Sequence, residues 1–328
     1  MERSDRRRFV SLCPPPIPLN PPSPTLTPRD PPKHAADRAG STATATTRHG
    51  VSAVARLTPR DAPETLVASG DDAGAVSLWR CDASPDAASP PHVRRVAIAP
   101  RDPRDAPIAA LASASASASA PPSFVGDVDG AIRVLDPATL RAILRVDAAH
   151  AGACRAIAPH PSNPNLVASA GDDGAARVWD FRVGRESALR DFRLRLASEL
   201  SGEDARPGTG RAAAIAWCAS AGDAVAVGYE SGAVCFLEAA MGLATRGVVV
   251  AHEDAVRAVA WDASRGALAS CGDDGTTAIH VGELPATCRR ALHGGWYARC
   301  VAWDGEGGRL LSGGWDGDAV VAEVVKTR

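Results

Sequence analysis

The stretch from His150 to Asp180 reads HAGACRAIAPHPSNPNLVASAGDDGAARVWD and contains the pattern that decides the fold. Three short apolar runs, Cys154–Ala158, Leu166–Ala170 and Ala175–Trp179, alternate with turn residues. Short runs with apolar side chains at every second position predict β-strands and not helices. The Asp-Gly pair before the third run predicts a tight hairpin, because glycine accepts a positive φ without steric cost.

The same pattern recurs along the chain, with one glycine in each predicted hairpin turn. These glycines are 56, 44, 58, 43 and 42 residues apart, at Gly74, Gly130, Gly174, Gly232, Gly275 and Gly317. The two longer intervals hold the Ala-Ser run at 112–120 and the segment 185–210, and neither excess is long enough for a further unit. A period of about 40–45 residues with four short strands is typical of propeller blades, which bury their faces by stacking around an axis.

The repeats resemble the WD40 repeat family from residue 48 to residue 325. The family's repeat carries a His, a Ser or Thr, a turn Asp and a closing Trp, and the third unit supplies His150, Ser169, Asp173 and Trp179. The resemblance implies an all-β, WD40-type β-propeller. Six four-stranded blades are recognisable, and the complete propeller would have six or seven blades. It also implies that these four side chains form a structural hydrogen-bond network, in which each polar group finds a partner.

The other units depart from the family pattern, so we expect the third unit to contain the one complete network. Asp129 is expected to supply the turn carboxylate of the second unit. Residues of other types stand in the Asp position at Ala73 and Ser231, and in the Trp position at Leu135, His280 and Ala322.

Residues 1–40 differ in composition from the rest and carry ten of the 26 prolines. Proline lacks the N–H that a sheet interior requires, so we expect a disordered, Pro-rich N-terminal segment at 1–40 and a propeller domain at 41–328. The last blade then needs an outer strand beside Ala319–Val325. Either Ser41–Arg48 or residues 8–13 could supply it.

Charge and cysteine usage limit the partners and the compartment. Residues 1–60 have a net charge of +6 and the remainder −8, so we expect no nucleic acid to bind the acidic body. No apolar run reaches the length of a membrane span, and none is expected. The eight cysteines occur without a C-x-x-C pair and no secretory leader is recognisable, which favours the cytosol or the nucleus. The arginines at 6–8 leave a transit peptide as an alternative, against which Glu2 and Asp5 argue.

Motifs of catalysis and metal binding are absent or incomplete. Gly228–Gly232 resembles a nucleophile elbow, but its serine stands one place late. Asp127–Gly130 resembles the start of a calcium loop, but Ala138 stands where a bidentate Glu belongs. We therefore predict no catalytic residue, no metal and no cofactor.

The resemblance implies that protein or peptide partners bind the top face, beside the tight turns and the starts of the inner strands. The predicted function is a non-catalytic scaffold, a monomeric subunit of a larger complex. The alternatives are a reader of modified peptides, such as histone tails or ubiquitin-ligase substrates, and an esterase resembling the diphthine methylester hydrolases. The candidate partner-binding residues are Asp72, Asp172, Asp273, Trp315, Arg155, Arg257, Trp296 and Tyr297.

Overall fold

The strands of the protein form six four-stranded sheets in a ring. The computed structural model describes residues 9–11, 49–57, 65–82, 92–100, 102, 104–114, 122–136, 139–181, 190–193, 210–218, 223–239, 243–281, 286–293, 295–304 and 308–325. Within these ranges all regular secondary structure is β-strand. The predicted all-β propeller is confirmed, and the structure has six blades.

Each blade has four strands, ordered from the inner strand beside the ring axis to the outer strand at the rim. Blades 1 and 2 contain β2 (Val51–Arg56), β3 (Thr65–Asp71), β4 (Val76–Asp82) and β5 (His92–Ile98), then β6 (Ile108–Ser113), β7 (Ser123–Asp127), β8 (Ile132–Leu135) and β9 (Ala142–Val146). Blades 3 and 4 contain β10 (Cys154–Pro159), β11 (Leu166–Gly171), β12 (Ala175–Asp180) and β13 (Arg190–Arg193), then β14 (Ala212–Cys218), β15 (Ala224–Tyr229), β16 (Ala233–Glu238) and β17 (Ala244–Val250). Blades 5 and 6 contain β18 (Val256–Asp262), β19 (Ala267–Gly272), β20 (Thr276–Val281) and β21 (Ala286–Ala291), then β22 (Ala298–Trp303), β23 (Arg309–Gly314), β24 (Ala319–Val325) and β1 (Phe9–Ser11).

The sequence repeats and the blades are offset by one strand. The run that precedes His150 is β9, the outer strand of blade 2, although it opens the third sequence unit. Blade 6 therefore takes its outer strand from the start of the chain, where β1 pairs parallel with β24 and Phe9 lies opposite Glu323. This strand, Phe9–Ser11, lies within residues 8–13, one of the two predicted sources. The other source, residues 41–48, lies outside the described residues.

The rest of the N-terminal segment at 1–40 also lies outside the described residues, and its disorder stays a prediction. Within the described part of the chain, no helix is long and apolar enough to cross a membrane.

Neighbouring blades pack face to face through apolar side chains. Ala168 and Val178 of blade 3 are buried against the face of blade 4 that carries Ile215 and Trp217. The indole of Trp217 also donates a hydrogen bond of 2.7 Å to the carbonyl of Ala158 in blade 3. Burial of both faces explains why most strands are apolar at consecutive positions and do not alternate strictly.

Candidate interaction site on the top face

The top face is the end of the ring at which the tight turns meet the starts of the inner strands. In each of the six blades the second turn residue donates its backbone N–H to the carbonyl that precedes the inner strand. These bonds run from Asp72 to Gly50 (3.0 Å), Val128 to Pro107 (2.9 Å), Asp172 to Ala153 (2.9 Å), Glu230 to Arg211 (3.0 Å), Asp273 to Ala255 (2.9 Å) and Trp315 to Tyr297 (3.0 Å). Six side chains are thereby held in equivalent positions around the top face.

Each inner strand has a register shift two residues after the carbonyl that accepts this bond. The shift leaves one residue unpaired, and such bulges redirect a side chain. The bulged residues are Ser52, Ala109, Arg155, Ala213, Arg257 and Arg299. Arginine therefore occurs at the same position in blades 3, 5 and 6.

The bulged arginines pair with the turn carboxylates. In blade 3, Arg155 Nε lies 2.6 Å from Asp172 Oδ1. In blade 5, Arg257 Nε lies 2.7 Å from Asp273 Oδ2, and Arg299 of blade 6 reaches the same carboxylate at 3.1 Å. Partial burial would raise the pKa of Asp172, but the hydrogen bonds and charge of Arg155 outweigh it and hold that pKa below its ordinary value.

Blade 4 continues this charged row with residues that sequence reasoning missed. Arg211 Nε lies 3.8 Å from Asp172 of blade 3 and 3.9 Å from Glu230 of its own turn. Arg211, Glu230 and Arg299 were not among the predicted binding residues. A signal for Arg299 existed, because Cys-Arg-Ala, Val-Arg-Ala and Ala-Arg-Cys open the inner strands of blades 3, 5 and 6.

Three exposed aromatic side chains lie at the blade 6 end of the row. They are Trp296, Tyr297 and Trp315, and Trp315 is 58% exposed. The rings of Tyr297 and Trp315 meet edge to face with centroids 5.2 Å apart. The guanidinium carbon of Arg299 lies 5.1 Å from the centroid of the Trp315 ring, within cation–π range.

The structure places seven of the eight predicted residues in blades 3, 5 and 6. Asp72 occupies the equivalent turn position of blade 1, where the bulged residue is Ser52 and not an arginine. The predicted residues that lie in the arginine–carboxylate row or among the exposed aromatic side chains therefore belong to blades 3, 5 and 6.

Beneath this face, blade 3 holds a chain of four side chains. His150 lies 2.9 Å from Asp173 through Nδ1 and 2.7 Å from Ser169 through Nε2, and the Trp179 indole donates to the same hydroxyl at 2.9 Å. Burial would raise the pKa of Asp173, but hydrogen bonds from His150 and Arg177 hold it well below its ordinary range. The chain links the loop before the blade to its second and third strands.

Blade 5 has an equally continuous network, so the prediction of one complete network is wrong. His252 contacts Asp274 at 3.1 Å and Ser270 at 2.8 Å. His280 takes the Trp position, and its Nε2 lies 3.0 Å from the Ser270 hydroxyl. An imidazole N–H can replace an indole N–H at this position because the network needs only one donor at that point.

Blade 6 contains a shorter form of the network. His293 lies 2.9 Å from Asp316 and 2.8 Å from Ser312, while Ala322 stands in the Trp position. Burial and pairing of the imidazole are thus common to blades 3, 5 and 6.

Blades 1 and 2 use a carboxylate from the first turn position instead of the third. Asp71 Oδ1 accepts the N–H groups of Ala73 and Ala75, at 3.0 and 2.9 Å. In blade 2, Asp127 Oδ1 accepts the N–H of Asp129 at 3.1 Å, so Asp127 and not Asp129 supplies the turn carboxylate. The expectation for Asp129 is wrong because an aspartate can bond the backbone two residues ahead and cap the turn from its first position.

The buried His280 predicts a pH-dependent stability. Burial lowers the pKa of His280 to about 4, below the value near 6.5 of an unfolded chain. The unfolded state then binds more protons between these values, so stability is complete above about pH 6.5 and falls as the pH drops toward 4. We expect His280 to cost about 2 kcal/mol of unfolding free energy between pH 7 and pH 5.

Urea unfolding of the wild type and of His280→Gln at both pH values measures this effect. Gln keeps an N–H donor and does not titrate, so the variant should lose less stability on acidification. Equal losses in the two chains would contradict the assignment to His280.

The order Ser, His, Asp in blade 3 also occurs in the triads of hydrolases. In this blade the Ser169 hydroxyl accepts the indole N–H of Trp179, and both Ser169 and His150 are buried. The hydroxyl is therefore already bonded to two side chains and is not exposed to a substrate in this structure. In the described ranges, no group of three or more potential metal ligands occurs.

The fold and these networks define a six-bladed propeller whose repeats are stabilised by buried His, Ser and Asp side chains. The family model described as "WD domain, G-beta repeat" matches residues 141–180, 245–280 and 286–321. Each match runs from the outer strand of one blade to the third strand of the next. The chain therefore contains WD40 repeats at these three places. A comparison with curated proteins found no match.

Proposed function

We propose that this protein is a non-catalytic scaffold that binds a protein or peptide partner on the top face of blades 3 to 6. One observation carries the proposal: Trp296, Tyr297 and Trp315 are exposed together beside a row of paired arginines and carboxylates. Tryptophan, tyrosine and arginine are the side chains most enriched among residues that dominate binding energy.

The charges of the row favour a polypeptide over a nucleic acid. Arg155 and Arg257 are each paired with a turn carboxylate, so the surface offers both donors and acceptors. A phosphate backbone is best bound by unpaired cations, whereas a polypeptide presents N–H, C=O and side chains of both signs. The proposed partner is therefore a protein segment of mixed charge.

The proposal also covers the oligomeric state and the cellular compartment of the protein. We propose a monomeric subunit of a larger complex in the cytosol or the nucleus. The proposed compartment is supported by the cysteines of the described residues, all of which are free thiols, four of them buried among apolar side chains.

A reader of modified peptides is a second candidate on the same face. Exposed aromatic rings can bind a methylated ammonium group through cation–π contacts. In this structure Arg299 already lies over the Trp315 ring, so such a ligand would have to displace it. Binding to arrays of modified and unmodified peptides separates the two candidates, because a reader prefers the modified form.

Affinity purification with quantitative mass spectrometry tests the scaffold. The wild type, the double variant Trp296→Ala/Trp315→Ala and the control Ile143→Ala are compared, since Ile143 is exposed on the outer strand of blade 2. The double variant should lose the partners that the wild type and the control retain. An unchanged set of partners in all three would refute the top face as the binding surface.

A further inference from the structure

One face of blade 6 is apolar, and among the described residues no neighbouring blade covers it as the other blades are covered. Its second and third strands carry Leu311 and Val321, which lie opposite each other in the register. Leu311 is 40% exposed and Val321 52% exposed. The inner strand adds Cys300 and Ala302, both also exposed. We call these four residues the seam face, since they lie on the side of blade 6 that points away from blade 5.

The equivalent residues of the other blades are buried against the next blade. At the position that corresponds to Leu311, counted back from the turn glycine, the residues of the other five blades are at most 1% exposed. These residues are Ala68, Phe124, Ala168, Ala226 and Ala269. The sequence of blade 6 therefore follows the pattern of a covered face. Such residues are seldom left in contact with water as a contiguous patch without a partner.

The turn glycines give independent evidence. A Cβ placed on Gly130 would come within 2.1 Å of the His150 carbonyl, and one on Gly232 within 2.1 Å of the His252 carbonyl. At Gly317 of blade 6 nothing described lies within 4 Å of that position. Among the described residues, the backbone that abuts the turns of blades 1, 2, 4 and 5 has no counterpart beside blade 6.

Blade 1 follows blade 6 around the ring, and it also exposes apolar side chains on the side that faces the seam face across a gap. Val54 and Ile98 point away from blade 2 and are 62% and 49% exposed. Trp79, on the same side, is shielded by the guanidinium of Arg95 at 5.8 Å from the ring centroid. Hydrophobic clusters join the other five pairs of neighbours, and none found among the described residues joins blade 6 to blade 1.

We propose that residues 12–48 of the same chain bind the seam face. β1 ends at Ser11 on the outer edge of blade 6, and β2 begins at Val51 on the inner edge of blade 1, so these 37 residues connect the two sides of the gap. A segment attached at both ends is present at a high effective concentration, which favours it over a free partner.

The composition of residues 12–48 suits this surface. The segment contains ten prolines together with Leu12, Ile17, Leu19 and Leu26. Prolines cannot form the ladder of a seventh blade, but extended Pro-rich segments bind apolar grooves through their side chains. The segment therefore covers the seam face by side-chain contact and leaves the blade count at six.

Thiol labelling of Cys300 tests the proposal in the full chain. N-ethylmaleimide is added to the wild type and to a variant in which residues 12–48 are replaced by a Gly-Ser linker of equal length, and peptide mass spectrometry gives the rate at each cysteine. Cys300 should react about tenfold more slowly in the wild type, because its labelling then requires the segment to detach. Cys288, half-buried on the outer strand of blade 5, is the internal control and should react equally in both chains.

Substitution of Leu311 provides a second readout that needs no labelling. Leu311→Ser should lower the Tm of the wild type by about 3 °C and leave the Tm of the linker variant unchanged. Equal Cys300 rates in the two chains, or equal Tm shifts, would overturn the proposal. Protection of Cys300 that rises with protein concentration in both chains would overturn it as well, since a second copy would then be the occupant.

Discussion

Asp173→Ala should lower the free energy of unfolding by about 4 kcal/mol, as expected when one partner of a buried charged network is removed. The carboxylate holds His150 at 2.9 Å and Arg177 at 2.8 Å, and it also accepts the N–H of Ala175 at 3.1 Å. Alanine would remove the carboxylate that a buried imidazole, a largely buried guanidinium and a turn amide share. Unfolding in urea, followed by circular dichroism, measures the loss.

The neighbouring residue offers a matched control for this prediction. Asp172 lies in the same turn, but its ion pair with Arg155 is partly open to water. Such pairs contribute about 0–1 kcal/mol, so Asp172→Ala should change the unfolding free energy by that amount at most. If both variants lost the same stability, the buried network would not be what stabilises the blade.

Trp315→Ala should weaken the binding of a top-face partner by about 3 kcal/mol, or roughly 100-fold in Kd. The side chain is the most exposed aromatic of the described residues, and it contacts both Tyr297 and Arg299. Its removal would therefore delete one anchor and release two others from their orientation. Isothermal titration calorimetry with a partner identified by affinity purification measures the change.

Two variants separate this role from a general effect on the fold. Trp315→Phe keeps an aromatic ring for Arg299 and should retain most of the affinity. Ile143→Ala, on the outer strand of blade 2, should bind as the wild type does. Unchanged affinity of Trp315→Ala, measured on protein with wild-type Tm, would remove Trp315 from the proposed site.

Some parts of the site could be predicted because they depend on local spacing. The residues of the blade 3 network stand at the intervals of one repeat, so the family resemblance located them directly. Arg299 occupies the same bulged position as Arg155 and Arg257, which were predicted. It was missed because the aromatic residues Trp296 and Tyr297 were chosen near the strand start of blade 6 instead. His280 was judged by residue type, whereas the network depends on a donor at the right distance from Ser270.

The amino-acid sequence by itself determined the all-β fold and the number of recognisable blades. Short apolar runs and the turn glycines, about 43 residues apart in three of five intervals, are local features that each blade repeats. Only the tertiary structure decided which distant segment pairs with β24, which charged side chains meet across blades, and which blade has no neighbouring blade on one face among the described residues. These three features join residues far apart in the chain, and they depend on how the ring brings them together in space.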